Sequence, residues 1–407
     1  MDSLVKKIIS GTAIGIWLGS VLALGGIGLG RAISITSRSS NPPDFANYYL
    51  AGRMLSVSPT SIYDQVALDN LTKSVGVPGW ASPYGYPPFF AVFIRLWSWL
   101  PYPQAITAWK VFNIVCLLSG MACLLAYLGW PWKVKGAAIA FLALILFPPA
   151  QENILLGQVN SIIFLLSSLI FLVVKVPRKR GWEFYAGLLA GLAASIKIFP
   201  AIIVVYFLFR KRWWGVLGGI ISGFLCQAIG VFWGGGWLNS WTYFTNYLFK
   251  SYVGRMAYFQ IANQSLTAMF MRPMGDESLA RILGILSIGL VLFITWMALR
   301  NNKLIEPDIE FSLIVFLPLL VLTGVYSHYF ILLLIPFAVL IKLWLKGKSW
   351  IKIPLLTAFL LLILNSYSEW INIGFTRWLP VGLVATLTIW ITLIYIIVIR
   401  KPVRALE

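Results

Sequence analysis

About twelve apolar stretches divide this 407-residue chain, and its basic residues gather in alternate loops between them. A helix needs about 20 apolar residues to cross a bilayer core. The stretches run roughly over 8–30, 104–129, 136–150, 158–174, 183–196, 198–209, 214–235, 278–299, 309–326, 329–345, 351–366 and 378–399. Hydrophobic residues make up 59% of the chain and charged residues only 11%. A soluble domain carries about a quarter charged residues, so the expected fold class is an all-α polytopic membrane protein. A net charge of +19 would suggest nucleic acid if it formed one soluble patch. Here the charges lie in short loops, which makes them a topology signal, and no nucleic-acid partner is expected. The first apolar run lacks a small-residue cleavage site after it and reads as a retained span. No linker, repeat or low-complexity segment divides the sequence, so 1–407 reads as a single integral membrane domain. Cys116, Cys123 and Cys226 all fall in apolar stretches, and no disulfide or metal spacing is present.

With Lys6 and Lys7 placed in the cytoplasm, alternation brings the dense clusters to the same side. These are Lys133/Lys135, Lys175/Arg178/Lys179/Arg180, Arg210/Lys211/Arg212, Arg300/Lys303, Lys346/Lys348 and Arg400/Lys401/Arg404. The outer loops are then 31–103, 147–158, 236–277, 326–329 and 367–377. Two segments decide the parity. The stretch 87–100 is too short to cross and carries Arg95 and two Trp, so it reads as an interfacial helix in the long first outer loop. The stretch 183–209 has basic clusters at both ends, with Lys197 and Pro200 at its centre. Proline breaks a helix and restrains the residue before it. Two short membrane helices meeting near Lys197 keep both clusters inside. Irregular backbone at that depth is tolerated only beside protein or a water-filled cavity.

The outer side holds nearly all the unusual polar residues: Asp44, Tyr84, Tyr86, Glu152, Gln158, Asn160, Asn263, Gln264, Ser265 and His328. Asp44 follows two prolines. It reads either as the N-cap of a helix over 44–57 or as a general base at a cavity mouth. Lys197 is a cation at bilayer depth, costing at least about 2.5–3.5 kcal/mol on insertion scales. It either bonds carbonyls freed by Pro200 or snorkels, or it neutralises a lipid phosphate. The small residues Ala186, Gly187, Ala190, Gly191, Ala193 and Ala194 before it allow close helix packing. His328, the single His, is a structural side chain or a donor to a phosphate or hydroxyl. Glu152 reads as a solvated loop acid. Asn263-Gln264-Ser265 has the form of a glycosylation sequon, and its amides and hydroxyl also suit sugar binding. Aromatics in 84–99 and 233–247 anchor the interface or stack on sugar faces. Phosphate-binding Gly-rich loops and nucleophile elbows are absent from the sequence.

Taken in order, Asp44-Phe45-x-x-Tyr48-Tyr49, Tyr86-Pro87-Pro88, Gly157-Gln158-x-Asn160, Lys197-x-x-Pro200, Asn263-Gln264-Ser265 and His328-Tyr329 resemble glycosyltransferase family 87. These are polyprenyl-phosphate-mannose-dependent mannosyltransferases of the GT-C superfold. The resemblance implies a GT-C-type fold of about twelve spans, with interfacial helices in the first outer loop. It implies an inverting enzyme of the plasma or inner membrane, its site facing outside or the periplasm. The donor would be a polyprenyl-phosphate sugar, typically mannose, and the acceptor a lipid or glycan hydroxyl. Asp44 would be the catalytic base. Lys197, with His328 and Arg255, would hold the donor phosphate, and Tyr48, Tyr86, Gln158, Asn160, Asn263 and Gln264 would contact substrate. No metal or other cofactor is expected, because Glu152 is the only second acid available in the second outer loop. Two other functions fit many spans and a polar cavity: a transporter or flippase for lipid-linked glycans, and a ligase that joins them. A transporter should show internal repeats with paired broken helices, and the sequence shows one break, near Lys197.

Overall fold

The protein's structure is a computed structural model that describes residues 44–79, 82–129, 147–175, 180–248, 262–274, 277–300, 305–371 and 379–399. The first apolar run, most of 136–150, Arg255 and several basic clusters (Lys6/Lys7, Lys133/Lys135, Arg178/Lys179) lie outside the described residues. Among the described residues there are helices and turns and no strands.

Three short helices build the segment before the first long one. α1 spans Phe45–Val57, α2 Gln65–Ser74 and α3 Pro88–Ser98. Two aspartates stand at the starts of the first two and behave differently. The Asp64 carboxylate caps α2, accepting from Val66 N at 2.9 Å and Ala67 N at 3.2 Å. Asp44 occupies the same position before α1 but has helical backbone angles and makes no side-chain cap. Its carboxylate is therefore left for other partners. α3 begins on Pro87-Pro88, where a missing N–H is harmless. Its 11 residues span about 16 Å, half a bilayer core, so it cannot cross. Its buried Phe90, Ala91 and Ile94 pack against α1.

α4 (Tyr102–Leu128) follows, then α5 (Pro148–Leu156) and α6 (Asn160–Lys175). The expected outer loop 147–158 is thus mostly helix. Pro148 favours a helix start, and Gly157, with φ +66°, ends it in the left-handed region. A Cβ at Gly157 would also lie 2.7 Å from Phe45 Cβ, so this corner demands glycine twice over.

α7 (Arg180–Ile196) and α8 (Ala201–Phe209) meet at the expected break, Lys197–Pro200. α9 (Trp213–Trp233) packs along α7 at backbone contact. A Cβ on Gly187 would sit 2.1 Å from the Gly215 carbonyl oxygen, which is the close approach the small-residue run allows. α9 also touches α3.

The remaining helices are α10 (Gly236–Thr242), running into a π-type turn over Tyr243–Leu248, α11 (Leu266–Met274), α12 (Glu277–Arg300), α13 (Pro307–Phe316) and α14 (Pro318–Val321). A 3₁₀ stretch (Ser327–Leu333) leads into α15 (Leu334–Leu345), followed by α16 (Lys352–Ile371) and α17 (Val381–Ile399). The expected span 309–326 is not one helix. It stops at Phe316, makes one turn from Pro318, and turns non-helical after Val321. Pro318 lacks the N–H a continuous helix needs and crowds the carbonyl four residues earlier. Among the described residues there are therefore two interruptions, at Lys197 and after Val321, where the sequence suggested one.

Five helical segments among the described residues are long and apolar enough to cross a membrane: Tyr102–Leu128, Trp213–Trp233, Glu277–Arg300, Ser327–Leu345 and Val381–Ile399. Large apolar side chains such as Phe224 and Phe232 on α9, and Ile285 and Leu290 on α12, are exposed. Water would not tolerate such faces, whereas hydrocarbon does.

Candidate active site

The site is assembled around the corner Gly157-Gln158-Val159-Asn160, where α5 turns into α6. The Trp109 indole on α4 pins this corner by donating to the Gly157 carbonyl at 2.6 Å. Phe45, the residue after Asp44, stacks on the same indole with ring centroids 5.4 Å apart. The corner and the start of α1 are thus fixed to one buried aromatic. Losing a buried bond of this kind costs about 1–3 kcal/mol.

Gln158 reaches Asp44. Its Nε2 donates to Asp44 Oδ2 at 2.5 Å. Its Oε1 faces two phenols, Tyr48 at 3.0 Å and Tyr86 at 3.3 Å, whose hydroxyls are 2.8 Å from each other. Burial pushes both phenols well above their usual range, so they remain protonated donors. Burial also raises the Asp44 carboxyl above its ordinary value. The Gln158 hydrogen bond and the Lys197 charge pull it partway back.

Lys197 sits at the break between α7 and α8. Its Nζ donates to Asn160 Oδ1 at 3.1 Å and lies 3.8 Å from the centre of the Tyr329 ring. It takes an amide and a π face, where the sequence allowed carbonyls freed by Pro200. Asn160 Nδ2 donates to the His328 carbonyl at 3.2 Å. The His328 ring stacks on Tyr326 at 5.9 Å and meets Tyr329 edge-on at 4.8 Å. His328 Nδ1 is buried and has no hydrogen-bond partner among the described residues.

Two hollows meet here. The first, of about 460 Å³, is lined by Asp44, Asn47, Glu152, Gln158, Tyr326 and His328 among others. The second, of about 300 Å³, is lined by Lys197, Phe199, Tyr243, Tyr247 and Thr323. Gly85, Tyr86, Tyr326 and Tyr329 belong to both walls. A third hollow of about 300 Å³ runs between α7, α8 and α9 and is almost wholly apolar. It shares Pro87, Ile198 and Tyr243 with the second.

Asn263 and Gln264, expected as substrate contacts, hydrogen-bond to backbone. Asn263 Nδ2 and Ser265 Oγ both donate to the Thr323 carbonyl at 2.9 Å. Asn263 Oδ1 accepts from Val325 N at 3.1 Å, and Gln264 Oε1 accepts from Gly382 N at 3.1 Å. The run therefore satisfies the non-helical segment after Val321, which leads directly into Tyr326 and His328. Asn47 was missed in the sequence, although its place one helical turn after Asp44 signals a shared face. Tyr243 and Tyr247 fall in the aromatic range expected to face sugars and line the second hollow.

The arrangement offers an acceptor of protons and a cation in two hollows that share a wall. The model of glycosyltransferase family 87 matches residues 84–323, which begin after Asp44 and end before His328. One relative is a polyprenol-phosphate-mannose-dependent alpha-(1-2)-phosphatidylinositol mannoside mannosyltransferase of Mycobacterium tuberculosis. It is 30% identical over 179 residues, covering 41% of this chain and 40% of the relative. Another is a polyprenol-phosphate-mannose-dependent alpha-(1-2)-phosphatidylinositol pentamannoside mannosyltransferase of Mycolicibacterium smegmatis, 29% identical over 197 residues. That match covers 47% of this chain and 44% of the relative, so less than half of either relative's length is spanned. With a match over more than half of its residues, the chain belongs to glycosyltransferase family 87.

Proposed function

We propose that this chain is an inverting mannosyltransferase that takes mannose from a polyprenyl phosphate and passes it to an acceptor hydroxyl on the outer face of the membrane. The observation that carries this reading is the meeting of the Asp44 hollow and the Lys197 hollow along one shared wall. Asp44 takes the proton of the acceptor hydroxyl. The hydroxyl oxygen attacks the anomeric carbon from the side opposite the phosphate. The bond from that carbon to the phosphate oxygen breaks, and the electron pair leaves with the phosphate. Lys197 stabilises the charge that develops there, with His328, on the wall of the adjoining Asp44 hollow, as a second donor. A single displacement inverts the centre and needs no second carboxylate as nucleophile. The apolar third hollow suits the isoprenoid tail, because it adjoins the Lys197 hollow and is lined by small residues of α7 and α9.

The relatives' names support mannose and a lipid-linked donor, and they favour a glycolipid hydroxyl as acceptor. The positive-inside pattern supports an outward site and about twelve crossings in one membrane domain. Metal independence is supported by the scarcity of acids, since Glu152 is the one other carboxylate lining the Asp44 hollow among the described residues.

The test uses purified protein in lipid nanodiscs, radiolabelled polyprenyl-phosphate mannose and a mannose-bearing glycolipid acceptor. Label should move to the acceptor with inverted configuration. Label that only changes leaflet would make the chain a flippase, and transfer of whole glycans would make it a ligase. The two interruptions do not favour a transporter. Helices of 17 and 9 residues flank the first, and helices of 10 and 4 residues precede the second, so they form no evident repeat.

A further inference from the structure

The proposed reaction needs a carboxylate free to take a proton and an ammonium free to meet a phosphate. Two unit charges 4 Å apart attract by about 4 kcal/mol at an effective dielectric of 20. A base and a cation in one cleft therefore tend to pair and silence each other. No ion pair joins Asp44 to Lys197 among the described residues.

The corner between α5 and α6 explains why. Gln158 and Asn160 are alternate residues, separated by the fully buried Val159. A primary amide has a donor end and an acceptor end. Gln158 turns its donor end to the Asp44 carboxylate and its acceptor end to the Tyr48 and Tyr86 hydroxyls. Asn160 is turned the other way, with its acceptor end on the Lys197 ammonium and its donor end on the His328 carbonyl. Neither amide can flip without loss. A carboxylate and a carbonyl only accept, and an ammonium only donates. Each charge is thus compensated by a dipole that leaves its net charge intact.

We propose that Gln158 and Asn160 are positioning residues, an oppositely oriented amide pair that holds the Asp44 carboxylate and the Lys197 ammonium apart and keeps each available to substrate. This rests on the mannosyl-transfer reading and gives both amides a role beyond simple substrate contact. The groups facing Asp44 are Tyr48 and Asn47 from α1, Tyr86 from the loop before α3, Glu152 from α5, Gln158 from the α5–α6 corner, and Tyr326, His328 and Tyr329 from the 3₁₀ region, with the Lys197 charge acting from the adjoining hollow. Of these, Gln158 and Lys197 favour the ionised carboxylate, and Gln158 is the one that touches it.

The experiment compares full-length wild type, Gln158→Leu and Asn160→Leu in nanodiscs. Infrared titration follows the Asp44 carboxyl band, identified by its loss in Asp44→Asn, and needs no turnover. In Gln158→Leu the band should titrate at higher pH than in wild type. Mannosyl transfer should fall about tenfold to a hundredfold in kcat, with donor KM unchanged and the acid limb of the pH profile moved upward. In Asn160→Leu the released ammonium is free to approach Asp44, so the band should titrate at lower pH than in wild type while donor KM rises. If Gln158→Leu does not fold, Gln158→Glu replaces it with nearly the same shape, and its added negative charge must push the Asp44 titration upward. An unmoved titration in the folded variant, or a rise in donor KM with an unmoved pH profile, overturns the positioning role. An inactive wild type with a shifted titration would sink the transfer reading while leaving the geometry of the pair upheld.

Discussion

The two ends of α4 and α8 treat buried charge in opposite ways. At the end near Tyr102 and Ala201, the Asp44 carboxylate and the Lys197 ammonium each rest on a neutral amide. At the other end, charges meet charges or take direct hydrogen bonds. Arg210, just after α8, is ion-paired with Glu310 on α13. Arg212 lies 3.8 Å from Glu183, joining the start of α9 to α7. Tyr127 on α4 donates to Asp308 at 2.7 Å, and Lys342 on α15 donates to the Tyr127 carbonyl at 3.3 Å. An ion pair satisfies both members and ties two helices together, but it leaves no charge over for a ligand. An amide offsets burial and leaves the charge unspent. The first arrangement suits a clamp and the second suits a reaction centre.

The sharpest way to break this comparison is Asp44→Asn. Mannosyl transfer should fall at least about a hundredfold, the lower range for a positioned general base. Normal turnover in the purified variant would remove Asp44 from the chemistry. The same variant should melt slightly above wild type at neutral to alkaline pH. Burial raises the folded carboxyl above its unfolded value. Such a group adds stability below its unfolded value and loses it as pH rises through the folded one. Asparagine never pays that loss.

At the clamp end the signs reverse. Glu310→Gln breaks the pair with Arg210 and should cost about 3–5 kcal/mol, read as a lower melting temperature. The rate per folded molecule should hold. A large loss of turnover with unchanged stability would mean that the clamp takes part in the reaction.

Lys197→Met should come next in size. Losing a charged hydrogen bond to the phosphate raises donor KM about tenfold to a hundredfold, with expression and folding spared. If donor affinity holds and only folding suffers, Lys197 is a structural cation. The smallest expected effect is that of a chelator, which should leave transfer unchanged. A loss that a divalent ion restores would overturn the metal-free reading.

Much of the site was legible from single residues. Asp44 after two prolines, Lys197 three residues before Pro200, and the Gly157-Gln158-x-Asn160 run each stood out because polar groups are costly in an apolar chain. The break at Lys197 was legible because Pro200 marks it. The break after Val321 was not. Its only warning was Pro318 inside an otherwise apolar run, and the residues that satisfy it, Asn263 and Ser265, lie about sixty positions earlier. That distance also hid their role, since an amide suits a sugar and a bare carbonyl equally well. The Asp44 cap was undecidable for a similar reason. Asp64 and Asp44 stand at equivalent places, and the helical backbone at Asp44 together with the reach of Gln158, 114 positions away, separates them.

The sequence by itself determined what must leave water, namely the apolar helices, and the proline break at Lys197–Pro200. These follow from local composition and from backbone chemistry that acts over a few residues. The tertiary structure decided which buried charges are cancelled and which stay usable. That choice depends on contacts between residues far apart in the chain, where a few tenths of a nanometre separate an ion pair from a charge held by a dipole.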